Sequence, residues 1–332
     1  MTRHAMTPAD LVRATLAGQA VPHPPCSFWT HFPGTDLEPE ALAHETLAFA
    51  RRTGIDLIKS MPNGLYCVED WGVVADYSEI AKGGVAHVVS TPIRSLEDWG
   101  TIRALDIRSG ALGRELDHLD RLVRAAGPHV PVLATVFSPL TIAKKLCPAG
   151  FAEALRSGRH LVEHALSEIA ATVHAFSRAA IEIGCAGVFF AVQDATPAVG
   201  AETYAALGRR FDLDALAGAQ RGWCNAIHLH GDDVLFDAVA DYPVPILNWH
   251  IGETAPSIAD YRRAGGSKAI LGGLRRTALT TGDFTAIAED IAAAYAAGDA
   301  RGVIFGPGCV IRHPCDTSIL RQVVDLVREP RA

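Results

Sequence analysis

The chain has 332 residues, 49% of them hydrophobic, and a formal net charge of -7. That length and apolar content provide a substantial core, enough for one large α/β domain or two small ones, and exclude disorder for the body of the protein. The acidic balance and the dispersed placement of the 30 Lys and Arg residues leave no basic footprint, so nucleic acid is not an expected partner.

Residues 1–18 read as a polar lead and a short amphipathic helix over 8–18, without the apolar stretch of a signal peptide. No run approaches the roughly 18 apolar residues of a membrane span. A cytoplasmic protein without a membrane partner is expected, and its size permits a monomer or a homodimer. The seven cysteines are odd in number and sit mostly in apolar contexts such as Gly184-Cys185-Ala186, which suits reduced thiols rather than a disulfide framework.

Eight short β-type runs follow in order, at residues 27–30, 56–60, 130–136, 187–191, 225–229, 244–248, 268–271 and 302–305. Helical patterns alternate with them, at 39–52, 159–183, 202–216, 257–264, 284–297 and 317–328. This rhythm predicts an α/β fold with a parallel sheet, and eight such units predict a TIM (β/α)8 barrel. The surplus length forms an inserted loop and helical segment after the second strand, at about 61–129. No linker or repeat divides the chain, so a single domain over 1–332 is expected.

His228-Leu229-His230 lies at the end of the fifth run. Alternate residues of a strand share a face, so both imidazoles point to one place. Cys309, just beyond the eighth run, supplies a thiol. Two imidazoles and one thiolate form three sides of a tetrahedral zinc site whose fourth position stays open for water or substrate, as in catalytic zinc centres. Metal-free histidine pairs at this spacing are also common.

Active sites of this fold lie at the C-terminal ends of the strands. Trp29 and His31 at the first run, Lys59 at the second, Gln193 at the fourth and Asn248 at the sixth fall there and are expected around a small-molecule substrate. Tyr66, Glu69 and Trp71 in the inserted segment are expected as substrate cover. Packing of the insertion is the competing reading of Tyr66 and Trp71. His250, Asp232 and Glu253 are candidate general bases near the metal. Asp232 and Asp233 also read as caps of a following helix; Cys315, six residues past Cys309, is an extra candidate ligand that reads more simply as part of the turn that caps the last helix.

Phe28-Trp29-Thr30, Phe137-Ser138-Pro139-Leu140-Thr141, Gly184-Cys185-Ala186-Gly187-Val188-Phe189-Phe190 and Ile227-His228-Leu229-His230-Gly231 occur in this order. Gly272-Gly273-Leu274 and Phe305-Gly306-Pro307-Gly308-Cys309-Val310-Ile311 follow them. Over nearly its whole length the chain thereby resembles the uroporphyrinogen decarboxylase superfamily, especially its zinc-dependent corrinoid methyltransferases. The resemblance implies a zinc site of the form His-x-Cys with a distant Cys. His228 matches the His, Cys309 the distant Cys, and His230 stands in place of the first Cys. Imidazole for thiolate leaves the site one negative charge poorer and the metal more Lewis acidic.

The implied reaction moves a methyl group to a zinc-activated thiol, from a small methylated compound or a methyl-corrinoid carried by a corrinoid-binding partner protein. No Asp-x-His-x-x-Gly motif that would hold the corrinoid is visible in this chain. The decarboxylase branch resembles it less, because residues 27–34 contain no Arg to meet a porphyrinogen's carboxylates. A zinc-dependent hydrolase or lyase on the same barrel, and a metal-free decarboxylase, are the competing readings.

Overall fold

The structure, a computed structural model, describes residues 6–79 and 86–330; residues 80–85 of the inserted segment, like the first five and last two residues of the chain, lie outside that description. In chain order the first elements are helices α1 (Pro8–Leu16) and α2 (Pro39–Thr53), strand β1 (Ile58–Lys59), helix α3 (Tyr66–Glu69) and strands β2 (Val74–Asp76) and β3 (His87–Ser90). Then come α4 (Gly110–Ala126), β4 (Val132–Phe137), α5 (Pro139–Leu146), α6 (Phe151–Ser157), α7 (Arg159–Ile183) and β5 (Gly187–Val192). The chain continues through α8 (Ala201–Thr203), α9 (Arg210–Leu216), β6 (Ala226–Leu229), β7 (Ile246–Asn248) and α10 (Ile258–Arg263). It ends with β8 (Ala269–Leu274), α11 (Arg276–Thr281), α12 (Phe284–Ala296), β9 (Val303–Pro307) and α13 (Thr317–Arg328).

Seven strands form one sheet in the order β1, β4, β5, β6, β7, β8, β9, with every neighbour parallel. The run at 27–30, expected as a full strand, pairs through single bridges instead: Cys26 with Phe305 and Thr30 with Ile311. Ser27 N donates to Phe305 O, and Asp56 N to Cys26 O, so this stave lies between β9 and β1 and closes the TIM barrel. The reason for its irregularity is local. Cys26 N donates to the Asp56 carboxylate, whose other oxygen accepts from Arg328, so side chains take over part of the ladder.

Strands covered on both faces read as continuous apolar runs, and every residue of β4, β5, β8 and β9 is buried. Two cores result. Trp29, Leu57, Leu133, Phe189, Ala226, Ile246, Leu271 and Ile304, one from each stave, pack together inside the barrel. The alternate residues, such as Ala134, Val136, Val188, Phe190 and Ile227, join the outer core under the helices.

The expected long helix at 159–183 is a single helix, α7. The helix expected at 202–216 is interrupted: Tyr204–Arg209 forms a π-helical turn between α8 and α9. The inserted segment carries the antiparallel pair β2 and β3, and then α4, which packs against α2, α7 and β4 in the place of a barrel helix. Among the described residues no helix is long and apolar enough to cross a membrane.

Candidate metal centre

The inward residues of β5, β6 and β7 set the layer below the site: Phe189, Ala226 and Ile246. With a strand period of two, the next inward positions are Ala191, His228 and Asn248, and the ladder pairs Ala191 with His228 and His228 with Asn248. His230 follows two residues further, at the rim. His228 N and His230 N are held by the sheet itself, the latter donating to Val192 O at 2.9 Å. The His-x-His pair is thus anchored by backbone pairing on one side of a buried strand.

Cys309 arrives from the loop after β9. Its Sγ lies 3.7 Å from His228 Nε2 and 3.4 Å from His230 Nδ1. Zn–N of about 2.05 Å and Zn–S of about 2.3 Å at a tetrahedral angle give an N···S edge of about 3.6 Å. The two observed edges straddle that value, so the three donors fit a zinc ion in spacing as well as in kind. One nitrogen of His250 completes a group of four whose donor atoms all lie within 4.8 Å of one another.

The tautomer of His228 is set by its neighbour. Asn248 Nδ2 donates to Leu271 O at 2.6 Å and Pro307 O at 3.1 Å, which orients its Oδ1 toward His228 Nδ1 at 2.5 Å. An amide oxygen only accepts, so Nδ1 carries the proton and Nε2 presents its lone pair toward Cys309. Burial pushes the His228 pKa well below 6.5, and His230 is pushed down to about 4 by burial with help from His250 and Arg276. Both rings are therefore neutral at pH 7, as metal ligands must be. Burial pushes the Cys309 thiol up, against the pull of the Val310 N–H and of Arg276 and Lys59.

Close approach makes this possible at Gly308. A Cβ there would lie 2.6 Å from His250 Cα and 2.8 Å from Trp249 O, both backbone atoms. Gly308→Ala should therefore push the Cys309 loop off the histidines, weakening zinc affinity by about tenfold or more while leaving the helical circular dichroism intact. Titration of the protein with zinc against a chelator measures it.

The other expected residues divide into two groups. Lys59 is 7% exposed at the barrel mouth, donating to Met61 Sδ at 2.9 Å with its ammonium 5.0 Å from the Phe189 ring and 5.8 Å from Trp29. Burial drives its pKa down to about 7, opposed by Cys309 and Glu115. Trp29 packs edge-on against Phe189 at 5.4 Å, and Phe189 in turn stacks on His228 at 5.1 Å. His31 is lowered to about 4 by burial, then by Lys59 and His313. Gln193 N donates to Thr141 Oγ1 at 3.0 Å, and its side chain is half-buried after β5.

The insertion residues are engaged elsewhere. Tyr66 is buried, donates to Thr135 O at 2.7 Å and packs on Phe137 and Phe176. Glu69 meets Arg114 Nη2 with both oxygens at 3.0 Å and accepts from Tyr77, while Trp71 Nε1 donates to Arg103 O. Their polar groups fasten the inserted segment to the barrel, as the packing reading of Tyr66 and Trp71 expects. Cys315 precedes the helix cap Asp316, whose carboxylate accepts from Ser318 N, and is not among the grouped donors.

Asp232 and Asp233 cap no helix. The chain after them enters a 3-10 turn whose N-cap, Leu235, makes no side-chain cap bond. Asp232 Oδ1 instead lies 3.4 Å from His250 Nδ1, and Glu253 Oε2 lies 3.6 Å from the same atom. Glu253 is held in a two-pronged pair by Arg276, at 3.0 and 2.5 Å. Sequence reasoning missed Arg276 and Phe189. Arg276 stands just after β8, where the strand-end rule points; Phe189 left no signal inside its apolar run.

Acid should destabilise the metal-free protein. The unfolded chain protonates His31 and His230 near 6.5 but the folded chain only near 4, so the unfolded state binds more protons between those values. Stability is fully present above about 6.5 and falls as pH drops toward about 4. Thermal unfolding of chelator-treated protein should show a Tm several degrees lower at pH 5 than at pH 7.5.

A concavity of about 860 Å³ lined by Phe236, Pro256 and Tyr261 lies outside the barrel mouth and contains none of the grouped donors. The candidate site is the rim, where chemistry converges. The structure is similar to that of a methyltransferase from Methanosarcina mazei, with TM-score 0.84 and 19% identity over 98% of each chain. It is also similar to a B12-independent methionine synthase from Shewanella sp. W3-18-1 in complex with selenomethionine, with TM-score 0.59, 14% identity, and 92% of this chain and 96% of that one covered. At such identities the likeness is one of fold. No curated protein matches by sequence. The family model described as uroporphyrinogen decarboxylase (URO-D) matches residues 7–330, nearly the whole barrel, and the chain belongs to that family.

Proposed function

We propose that this protein is a zinc-dependent methyltransferase that moves a methyl group to a thiol, with His228, His230 and Cys309 as the residues that hold the metal. The donor is a methyl-corrinoid on a partner protein or a small methylated compound. The observation that supports it most is the pair of N···S separations, 3.7 and 3.4 Å, between Cys309 and two neutral histidines at a barrel mouth. The names of the similar structures, a methyltransferase and a methionine synthase, agree with this class of reaction.

Zinc held there would supply Lewis acidity that keeps a substrate thiol ionised at neutral pH, well below its free pKa of about 8.5. The residues do the rest. Asn248 fixes the His228 tautomer, so its lone pair needs no reorganisation. Phe189 and Trp29 wall the inner side of the mouth and exclude water, which keeps the sulfur nucleophile poorly solvated and reactive. Sulfur then forms its bond to the methyl carbon as the bond to the departing carrier breaks.

The test is a thiol-dependent methyl transfer assay on zinc-loaded protein, with free methylcobalamin as donor and loss of its absorbance as the readout. Turnover that requires thiol and zinc supports the proposal. Zinc-dependent ester or amide hydrolysis without thiol would instead favour the hydrolytic reading, for which the contact of His250 with Asp232 and Glu253 is the supporting observation.

A further inference from the structure

We infer that Asp212, Tyr204 and Tyr242 form a proton-operated latch, a neutral three-membered hydrogen-bond ring that ties the segment leading away from His230 to the π-helical turn and loosens when the carboxyl ionises. The need for such a tie comes from the fold. Where a barrel helix would stand between β6 and β7, residues 230–245 carry only one 3-10 turn, so side chains from neighbouring elements must hold that stretch in place.

The π-helical turn supplies them. Tyr204 and Tyr242 are fully buried, and Gly208 leaves the space in which the Tyr204 ring lies: a Cβ there would come within 2.4 Å of it. Arg209, at the end of the turn, donates to Ala238 O at 3.0 Å, pairs with both Asp241 oxygens and lies 5.1 Å from the centre of the Tyr242 ring. Turns of this kind are rare and recur at functional places.

The ring's charge follows from counting its protons. Tyr204 Oη lies 2.8 Å from Asp212 Oδ2, Tyr242 Oη 2.9 Å from the same oxygen, and the two hydroxyl oxygens 2.9 Å from each other. Three oxygens in a near-equilateral triangle have three edges, and each edge needs one hydrogen. The tyrosines bring two. A proton on Oδ2 brings the third, and each oxygen then donates once and accepts once. With the carboxylate, one edge becomes a bare contact between oxygens. Oδ1 accepts no hydrogen bond, the neighbouring Ser138 hydroxyl being turned to Thr141 Oγ1 at 3.2 Å, so an ionised Asp212 would also bury an unsatisfied oxygen.

No cation compensates. Among the described residues the groups that face Asp212 are Tyr204 from the π-helical turn, Tyr242 from the tied segment, Ser138 at the start of α5 and Asp194 after β5. Arg209 is taken by Asp241, and Lys144 by Asp194. Burial pushes the Asp212 carboxyl up to about 7, against the three hydroxyls and with the repulsion of Asp194. The ordinary value is 3.8, so between 3.8 and about 7 the folded chain holds a proton that the unfolded chain does not. The ring's contribution to stability is therefore fully present below 3.8 and is lost as pH rises through about 7. On ionisation the Oδ2–H bond breaks, its proton passes to bulk water, and the tie to Tyr242 weakens. The latch works whatever the metal centre binds.

Infrared spectroscopy of the full-length protein detects the carbonyl stretch of a protonated carboxyl. Asp212→Asn keeps the shape without a proton to lose and so identifies the band. Wild type at pH 5.5 should show a band that Asp212→Asn lacks and that disappears with a midpoint near 7. Raising the pH from 5.5 to 8.5 should lower the Tm of wild type by about 5 °C more than that of the variant. Proteolysis within residues 231–245 reads the latch itself: the rate for wild type relative to Asp212→Asn should be several-fold higher at pH 8.5 than at pH 5.5.

A wild-type spectrum at pH 5.5 that matches Asp212→Asn would overturn the neutral ring. A cleavage ratio that is the same at both pH values would overturn the latch. If Asp212→Asn does not fold, Tyr242→Phe takes its place. It removes a donor to the ionised carboxylate, so the midpoint of the band should rise above that of wild type, and an unmoved midpoint would refute the ring.

Discussion

Cys309→Ser should reduce bound zinc from one per chain to a small fraction and lower thiol methylation by about a thousandfold or more. The serine hydroxyl is a poor match for the soft side of a His2Cys donor set. Its oxygen also sits on a shorter bond from Cβ than sulfur does, so it would not span the 3.7 and 3.4 Å gaps to His228 and His230 as Sγ does. The size of the kinetic effect combines two losses. A free thiol of pKa about 8.5 is only about 3% ionised at pH 7, which alone is about thirtyfold. Positioning of the nucleophile against the methyl carbon is lost as well, and effective molarities make that loss larger still.

Metal analysis and the thiol-dependent assay would be run side by side. A variant that keeps stoichiometric zinc and wild-type turnover would remove Cys309 from the centre. His228→Ala should behave in the same way, with an added packing loss from the ring stacked on Phe189.

Lys59→Met should have the largest effect in the opposite direction, making the protein more stable at pH 7 by about 2–4 kcal/mol while reducing its activity. The sign follows from linkage. The folded-state pKa of Lys59 is about 7 and the ordinary value is 10.5. Between those values the unfolded chain holds a proton that the folded chain does not, so stability rises with pH across that window and is lowest below 7. At pH 7 the buried amine costs on the order of 4 kcal/mol, and discounting for relaxation gives the lower end of the range. Methionine has a similar shape and no charge to bury.

Denaturant unfolding at pH 7 and pH 9.5 gives the check: the gain in the variant should shrink markedly at the higher pH. A gain that is the same at both, or a loss of stability, would show that the Lys59 amine is not strained by burial. The expected loss of activity has a physical basis too. A costly amine between Phe189 and Trp29, at the mouth of the candidate centre, is the kind of group that function retains at the expense of stability.

Much of the fold was legible because its signals are local. The runs at 130–136, 187–191 and 268–271 are apolar apart from Thr135 and the leading Lys268, as strands buried on both faces tend to be, and β4, β5 and β8 stand there. Where side chains substitute for the ladder, the local signal misleads: the run at 27–30 reads as a strand, yet Asp56 and Arg328 take part of its bonding and leave isolated bridges. The insertion is less legible for a related reason. Tyr66 and Trp71 look like substrate cover by composition, but whether an aromatic residue faces a ligand or a helix is decided by what packs over it.

The sequence by itself determined that His228 and His230 share a face, because a strand's period of two requires it, and that a thiol stands beyond the last strand of the barrel. It also holds a second imidazole, His230, where the resemblance implies a cysteine. Only the tertiary structure decided which atoms meet. The parallel register puts Asn248 beside His228, barrel closure brings Cys309 across to both rings, and the crossing at Gly308 presses the loop onto His250. These are contacts between residues 20 to 81 positions apart, and their geometry depends on strand register and barrel curvature, which no local pattern encodes.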